Sequence, residues 1–496
     1  MGNDLKRSEL HRTNSEMLLS VSPLLVLALI LAGVISIFGD GTTSGPAQLA
    51  MILTAVMAAG IGIYRGHSWD DLETSSTAVI GRAMPIVLII LVIGMLIGVW
   101  IVSGVIPAMI YYGLNAISPD IFYLATFMIC SLVAVCVGSS WTTAGTVGLA
   151  LVSIADLSGL SPSIAAGAVI SGGYFGDKLS PLSDTTNLAA GITYTALFDH
   201  IKNLLWTTIP AVLIAVIGFY IFSIGGSDKI DMASLERISS AIYAQYQISL
   251  LLFIPLVVTF TLAAYRAPAF ISLLSGSIVA AIIGLMTQTD LLSGGWTKAI
   301  EILINASTTG YVSNTGNIDL DNLLSRGGMA SMLNTVWLII SAMFFGGMME
   351  KSGCLKDIVN LILSGAKTGA ALMQRAGLTS LVSNIITPDQ FLSISVPGQM
   401  YREKFKEAGL ESKNLSRVLE DFGTVVSPLV PWNTCGAYMA ATLGVATIAY
   451  LPYCLFNLAN PIISLILINL NIQVHSVKSK LTTSVGDKSD PPIPVF

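Results

Sequence analysis

The chain has 496 residues, 53% hydrophobic and 11% charged, with mean hydropathy +0.76 and a formal net charge of −5. A soluble domain carries about 25% charged residues, so this chain has too little polar surface to enclose its apolar segments in water and is expected in a lipid bilayer. The net charge itself says little, the distribution of positive charge says more, and no nucleic-acid partner is expected.

Residues 1–16 are polar and carry Lys6, Arg7 and Arg12. The apolar run 17–38 after them is about one crossing long and lacks a small-residue cleavage site, so it reads as a retained first helix. Further apolar helices are predicted at 47–64, 84–112, 121–138, 141–158, 162–177, 186–200, 203–224, 247–264, 268–287, 331–350, 355–365, 369–386, 390–400, 415–426, 434–447 and 449–470. A full crossing takes about twenty apolar residues, and several of these are shorter. The short runs 121–138 with 141–158, and 369–386 with 390–400, flank polar tips at Gly138-Ser139-Ser140-Trp141-Thr142-Thr143 and Ser383-Asn384-Ile385-Ile386-Thr387-Pro388. Each pair reads as a re-entrant hairpin, a plain two-helix turn being the alternative. Segment 297–330, with Asn305, Asn314, Asn317, Asp319 and Asp321, reads as an external amphipathic arm and loop, and 475–496 as a disordered cytoplasmic tail.

Two later stretches share one pattern. Gly176-x-x-x-Ser180-Pro181-Leu182 and Gly423-x-x-x-Ser427-Pro428-Leu429 each interrupt an apolar run with proline and side-chain oxygens. Such backbone is tolerated at membrane depth only where protein buries it or it lines a watery cavity. Paired broken segments in corresponding halves point to a transporter's binding site. The two breaks are offset by 247 residues, the hairpin tips by 244, and Gly98–Gly104 matches Gly347–Gly353 at 249, which indicates an internal duplication.

Charge gives its orientation. With the N-terminus inside, three crossings, a hairpin and a broken fourth crossing return the chain to the inside, and helix 203–224 carries it out. This trace puts 19 of the 24 basic residues in the cytoplasm, among them Lys351, Lys356, Lys367 and Arg417, with both termini there. Lys229, Arg237, Lys298 and Arg326 fall outside, and Lys178 at depth. Positive charge prefers the cytoplasmic face, so the copies are inverted. The division is a cytoplasmic segment 1–16, a first repeat 17–202, a connecting helix and external loop 203–246, a second repeat 247–447, a final helix 448–474 and the tail. The fold class is an all-α polytopic membrane protein with inverted repeats, two re-entrant hairpins and two discontinuous helices.

The tips and breaks converge near the midplane. They bring Ser139, Ser140, Thr142, Thr143, Asp177, Lys178, Ser180, Ser183, Asp184, Thr185, Thr186 and Asn187 from one half. The other half brings Ser383, Asn384, Thr387, Asp389, Ser427, Asn433 and Thr434. Hydroxyl, amide, carboxylate and unwound carbonyl oxygens suit a small hard cation, and Na+ is expected at Asp184, Ser139, Ser180 and Asn187. Capping and hydrogen bonding within the bundle are the alternative roles of each hydroxyl. An acid at membrane depth costs roughly 2.5–3.5 kcal/mol to insert and has a functional reason by default. Asp184 is the first choice for a carboxylate that trades a proton for the cation, although it also stands where it could cap helix 186–200.

Lys178 would hold an anionic substrate if free and is structural if paired with a neighbour. Glu350 reads as an edge charge, Glu420 and Asp421 as lining an inner access route, and Asp389 as a cap on helix 390–400. Cys130, Cys136, Cys354, Cys435 and Cys454 are expected as buried inert thiols, and His11, His67, His200 and His475 at membrane edges or in tails. Their spacing supports neither a metal site nor enzyme catalysis, and no cofactor is expected.

The run Ser171-Gly-Gly-Tyr-Phe-Gly-Asp177-Lys-Leu-Ser-Pro-Leu-Ser-Asp184-Thr-Thr-Asn187-Leu-Ala resembles the signature of the NhaC family of sodium/proton antiporters, and the likeness extends over about residues 20–470. The resemblance implies Na+ and H+ as transported ions and residence in a bacterial inner membrane. It also implies a scaffold with a moving transport part, elevator-type motion and a homodimer. Because the family includes exchangers of malate and protons for Na+ and lactate, it also implies a rival, a small carboxylate or amino acid exchanged with the ions. A non-transporting membrane scaffold is the reading from another class. The second break has Pro431 where Asp184 would recur, so the two half-sites are unequal.

Overall fold

Long apolar runs become long helices because a helix satisfies every backbone group internally, as lipid requires. Among the described residues, six are long and apolar enough to cross a membrane: Glu16–Phe38, Pro46–Tyr64, Trp69–Val102, Leu197–Ile224, Ala269–Thr287 and Met329–Lys351. Two bent pairs also qualify when each is taken as one span. Glu236–Gln245 with Leu250–Ala264 turns by 92°, and Thr434–Leu443 with Thr447–Tyr453 by 89°. The computed structural model describes residues 14–38, 42, 44–116, 118–224, 232–313, 320–321, 324–363, 368–387 and 389–476. No ladder of strands forms among them; an isolated antiparallel bridge joins Leu410 and Ser476. The protein is an all-helical polytopic membrane protein. Lys6, Arg7, Arg12, Lys229, Asn314, Asn317, Asp319, Lys367, Pro388 and the tail after Ser476 lie outside the described residues.

Several expected boundaries move, among them 390–400, which extends to Glu407, and 449–470, which divides at Cys454. The apolar run 84–112 forms two helices, Trp69–Val102 and Val105–Ala116, because Gly104 turns with φ +86°. The first begins well before the apolar run, where the Ser68 hydroxyl accepts from the Asp71 amide and caps a polar first turn. The run 186–200 also divides. Asp184–Ile192 ends before the left-handed Tyr194, and the next helix, Leu197–Ile224, absorbs residues 197–200.

The helices pack in two groups. Trp69–Val102 is the centre of one, lying against Ala269–Thr287 and Leu333–Lys351, and the latter also packs on Pro46–Tyr64. Pro162–Leu179 is the centre of the other, against Phe122–Val137, Leu197–Ile224 and Leu455–Asn469. The helices Gly369–Ile386 and Gln390–Glu407 pack together and enclose the segment 412–424. Cys136 lies exposed on Phe122–Val137 rather than buried, while the other four thiols are buried. Glu350 is an exposed edge residue 4.0 Å from Arg82.

Small residues let Pro162–Leu179 approach Phe122–Val137 backbone to backbone. A β-carbon on Gly172 would strike the Phe127 carbonyl oxygen, and one on Gly176 the Ser131 carbonyl oxygen. Close small-residue contacts carry much of helix association where lipid supplies no hydrophobic drive. Gly172→Val is therefore expected to lower the thermal unfolding midpoint of the purified protein by several degrees, an overpacking penalty of ~1–3 kcal/mol. An unchanged midpoint would show that the two helices can separate freely.

Candidate functional site

Both chain breaks are built from local capping. Pro162–Leu179 ends at Ser180, whose hydroxyl donates to the Val135 carbonyl at 2.8 Å. After Pro181 and Leu182, Ser183 caps Asp184–Ile192 by accepting from the Thr186 amide, so the cap is Ser183 and not Asp184. In the second break, Pro428 opens the short turn Ser427–Leu429, and Asn433 caps Thr434–Leu443 through the Cys435 amide.

Each polar tip lies against a break. Ser139 caps the turn Ser140–Thr143 by accepting from the Thr142 amide, which frees the Ser140 amide and hydroxyl to donate to Asp177 Oδ2 at 3.0 and 2.8 Å. The Asn384 amide donates to the Phe422 and Gly423 carbonyls, and its own oxygen accepts from Asn433. Trp432 donates to the Ile385 carbonyl. The halves meet where Trp141 stacks on Tyr438 at 4.0 Å between centroids and the tyrosine hydroxyl donates to the Trp141 carbonyl. Asp389 caps Gln390–Glu407 through the Leu392 amide.

The centre is a pair of facing dipeptides, Asp177-Lys178 from one half and Glu420-Asp421 from the other. Lys178, Glu420 and Asp421 have no exposed surface, and Asp177 has 8%. Lys178 pairs with Asp421 at 2.5 Å and donates to Asn460 Oδ1 at 2.8 Å. The same Asp421 oxygen accepts from Asn460 Nδ2 and from Thr207. Lys178 is thus paired across the halves and does not present a free cation to an anionic solute. Its sequence neighbour Asp177 lies within the field of Glu420. Thr185 donates to Glu420 Oε1 at 3.2 Å, so the Ser183 hydroxyl, 3.1 Å away, donates to Thr185.

This is an oxygen-rich cluster. Glu420 Oε2, Asp421 Oδ2, Thr424 Oγ1 and Ser383 Oγ are buried without a hydrogen-bond partner among the described residues. An unsatisfied buried polar group costs ~1–3 kcal/mol, and a carboxylate or hydroxyl oxygen in that state is a ready ligand for a hard cation. Glu420–Thr424 is one π-helical turn, a local irregularity that often marks functional positions.

Most of the remaining sequence candidates have local partners. Thr143 donates to the Ser139 carbonyl, Thr186 to the Lys178 carbonyl, Thr387 to the Ser383 carbonyl and Ser427 to the Thr424 carbonyl. Thr142 is buried, and Thr434 donates to Asn433 at 3.5 Å. The exposed Asn187 amide donates to the Pro181 and Ser183 carbonyls. Asp184 is exposed at the first turn of its helix, and its charge reaches Asp177.

Two buried residues were placed elsewhere by sequence. His200, expected at an edge, is fully buried near Lys178 and Asp421, and neither ring nitrogen has a hydrogen-bond partner among the described residues. Arg417, expected among cytoplasmic charges, is enclosed and donates to Asn203 and to the Gln473 carbonyl. Glu420 and Asp421 were read as an access route, whereas they form half of the central cluster. The signal that could have promoted them is an adjacent pair of acids inside an apolar run. No group of three or more metal-ligating side chains occurs among the described residues.

Comparison with known proteins names this architecture. Residues 172–472 match the model of the Na+/H+ antiporter family, more than half of the chain. The Na+/H+ antiporter NhaC of Alkalihalophilus pseudofirmus is 35% identical over 433 residues, 87% of this chain and 92% of that protein. A malate-2H+/Na+-lactate antiporter of Bacillus subtilis is 35% identical over 410 residues, 82% of this chain and 86% of the relative. The arginine/ornithine antiporter ArcD of Halobacterium salinarum is also 35% identical over 410 residues, 81% and 82% of the two chains. With the central cluster and both breaks inside the matched region, the chain belongs to the Na+/H+ antiporter family.

Proposed function

We propose that this protein is a secondary antiporter that exchanges Na+ for H+ across a bacterial inner membrane, with both termini in the cytoplasm. The observation that carries the reading is the burial of Asp177 and Glu420, from opposite halves, within one another's field, with Asp177 hydrogen-bonded to Ser140 and Glu420 to Thr185, whose hydroxyl also bonds Ser183. Carboxylates enclosed with hydroxyls accept either a proton or a hard cation, and competition for the same oxygens couples the two flows. Asp184, exposed beside this cluster, captures the cation at its entrance. The exchanging role assigned to Asp184 by sequence is thereby shared with the Asp177–Glu420 pair. Ser139, Ser180 and Asn187, whose side chains serve their own turns, position these ligands.

The repeats 17–202 and 247–447, dipping hairpins at the two tips, elevator-type motion of the Pro162–Leu179 group and a homodimer complete the proposal. The working ions are cargo, no cofactor takes part, and the protein is not an enzyme.

Proteoliposomes with an imposed pH gradient test it. Na+ is expected to move against the proton gradient with no organic solute present, and Asp184→Asn is expected to abolish this flux while leaving the protein folded. Unchanged exchange in that variant would remove Asp184 from the pathway. A second reading, obligatory exchange of an organic acid or amino acid, is supported by the malate/lactate and arginine/ornithine relatives. Flux that appears only when malate, lactate or an amino acid is added would establish it over the first. No solute-driven flux under any condition would favour a scaffold.

A further inference from the structure

We propose that a cavity walled by Arg326 binds the carboxylate of a small organic acid. The cavity has a volume of about 460 Å³, and its lining includes Ile97, Leu149, Tyr311, Arg326, Ser331 and Thr442. Ligand pockets typically enclose ~300–1,000 Å³, and this one falls in that range with a mixed lining, in which the apolar side chains of Ile97, Leu149 and Met332 face the polar groups of Arg326, Ser331 and Thr442. The inference goes beyond ion exchange and does not depend on it, because the cavity and the Asp177–Glu420 cluster share no residues.

Arg326 is held in place by backbone. Gly327 and Gly328, which follow it, have φ +87° and +79°, and the Gly328 amide donates to the Gly94 carbonyl at 2.6 Å. A β-carbon on Gly327 would strike the Gly98 amide nitrogen, so this joint seats directly on helix Trp69–Val102. On its other side the Arg326 carbonyl accepts from the Tyr311 amide. The side chain is therefore presented from a fixed loop.

Its guanidinium has no ion pair and no hydrogen-bond partner among the described residues, in contrast to Lys178 and Arg417. Asp156 is the acid whose field reaches it, and no salt bridge joins the two. Nη1 instead borders Gly444, at the end of helix Thr434–Leu443, where the helix dipole favours a cation without consuming its donor fork. Arginine's planar fork matches a carboxylate bidentately. Hydroxyls of Ser331 and Thr442 and the apolar walls then fit the hydroxyl and carbon body of a short organic acid.

The test compares thermal unfolding of purified protein in sodium succinate, sodium L-lactate and sodium chloride at one Na+ concentration, so that ion binding cancels. At least one carboxylate is expected to raise the midpoint by ~2 °C or more relative to chloride. Arg326→Gln should remove the shift, and Arg326→Lys, which keeps the charge, should weaken apparent affinity at least ~fivefold. In wild type, the same carboxylate should protect Arg326 from phenylglyoxal as read by mass spectrometry, a measurement that needs no variant. Absence of a shift with both acids, an equal shift in Arg326→Gln, or modification of Arg326 that no carboxylate slows would each overturn the proposal.

Discussion

Asp421→Asn is expected to be among the most destabilising single substitutions in the membrane-embedded part of this protein. Asp421 Oδ1 accepts from Lys178, Asn460 and Thr207, all on other elements, and both charged partners are fully buried. Removing the carboxylate charge leaves an enclosed lysine ammonium without its ion-pair partner. Breaking a buried pair in this way costs ~3–5 kcal/mol, a large share of the ~5–15 kcal/mol that keeps a typical protein folded. The variant should give little monodisperse protein and a sharply lower unfolding midpoint. Lys178→Met is expected to fail similarly, because it strands Asp421.

The double variant Lys178→Met with Asp421→Leu distinguishes an uncompensated charge from a specific need for the pair. Replacing both members of a buried ion pair by apolar residues is often neutral or stabilising. The double variant should therefore recover the midpoint, and in liposomes it should still exchange Na+ for H+ through Asp177 and Glu420, with weaker Na+ affinity because the unpartnered Asp421 Oδ2 is gone. Recovery of folding with complete loss of exchange would move Lys178 and Asp421 from the framework into the transport step.

Much of the helical framework was legible because lipid leaves a chain few options. Helix Gly369–Ile386 lies where its apolar run predicts it, and the Ser-Pro-Leu segments interrupt helices as proline requires. Capping by Asp389 could also be read, since a cap depends on residues three apart. Other features depend on contacts that no local pattern encodes. Lys178 and Asp421 are 243 positions apart, so the partner of a buried lysine could not be chosen from the sequence near it. His200 looked like an edge residue because its neighbours Asp199 and Lys202 are polar, yet helix Leu197–Ile224 turns that one side toward the cluster. Cys136 shows the converse, an apolar run whose exposed face cannot be told from its buried face by composition. At the site, residue types were legible and roles were not. Whether a threonine caps, braces or binds depends on which oxygen it reaches, and Thr185 differs from Thr186 only by pointing at Glu420 instead of the Lys178 carbonyl.

That difference sets the second large expected effect. Asp177→Asn and Glu420→Gln preserve shape but remove the groups for which Na+ and H+ compete, and each should reduce exchange in proteoliposomes by ~100-fold or more, as loss of an essential ~2.7 kcal/mol interaction would. Both should fold, because an amide can still accept from Ser140 or Thr185. Thr185→Val is the graded member of the series. It removes a hydrogen bond to a carboxylate, worth ~1.5–3 kcal/mol, while leaving both carboxylates in place. Half-saturation for Na+ should rise roughly tenfold or more on that energy, with the maximal rate largely retained. Thr186→Val, which loses only a bond to a backbone carbonyl, should leave Na+ half-saturation within about twofold, as one neutral hydrogen bond outside the ligand set would. If Asp177→Asn or Glu420→Gln exchanged ions like the wild type, that carboxylate would not carry the proton or the cation. If Thr186→Val shifted Na+ affinity as much as Thr185→Val, the cluster would be acting through the rigidity of the break and not through direct ligands.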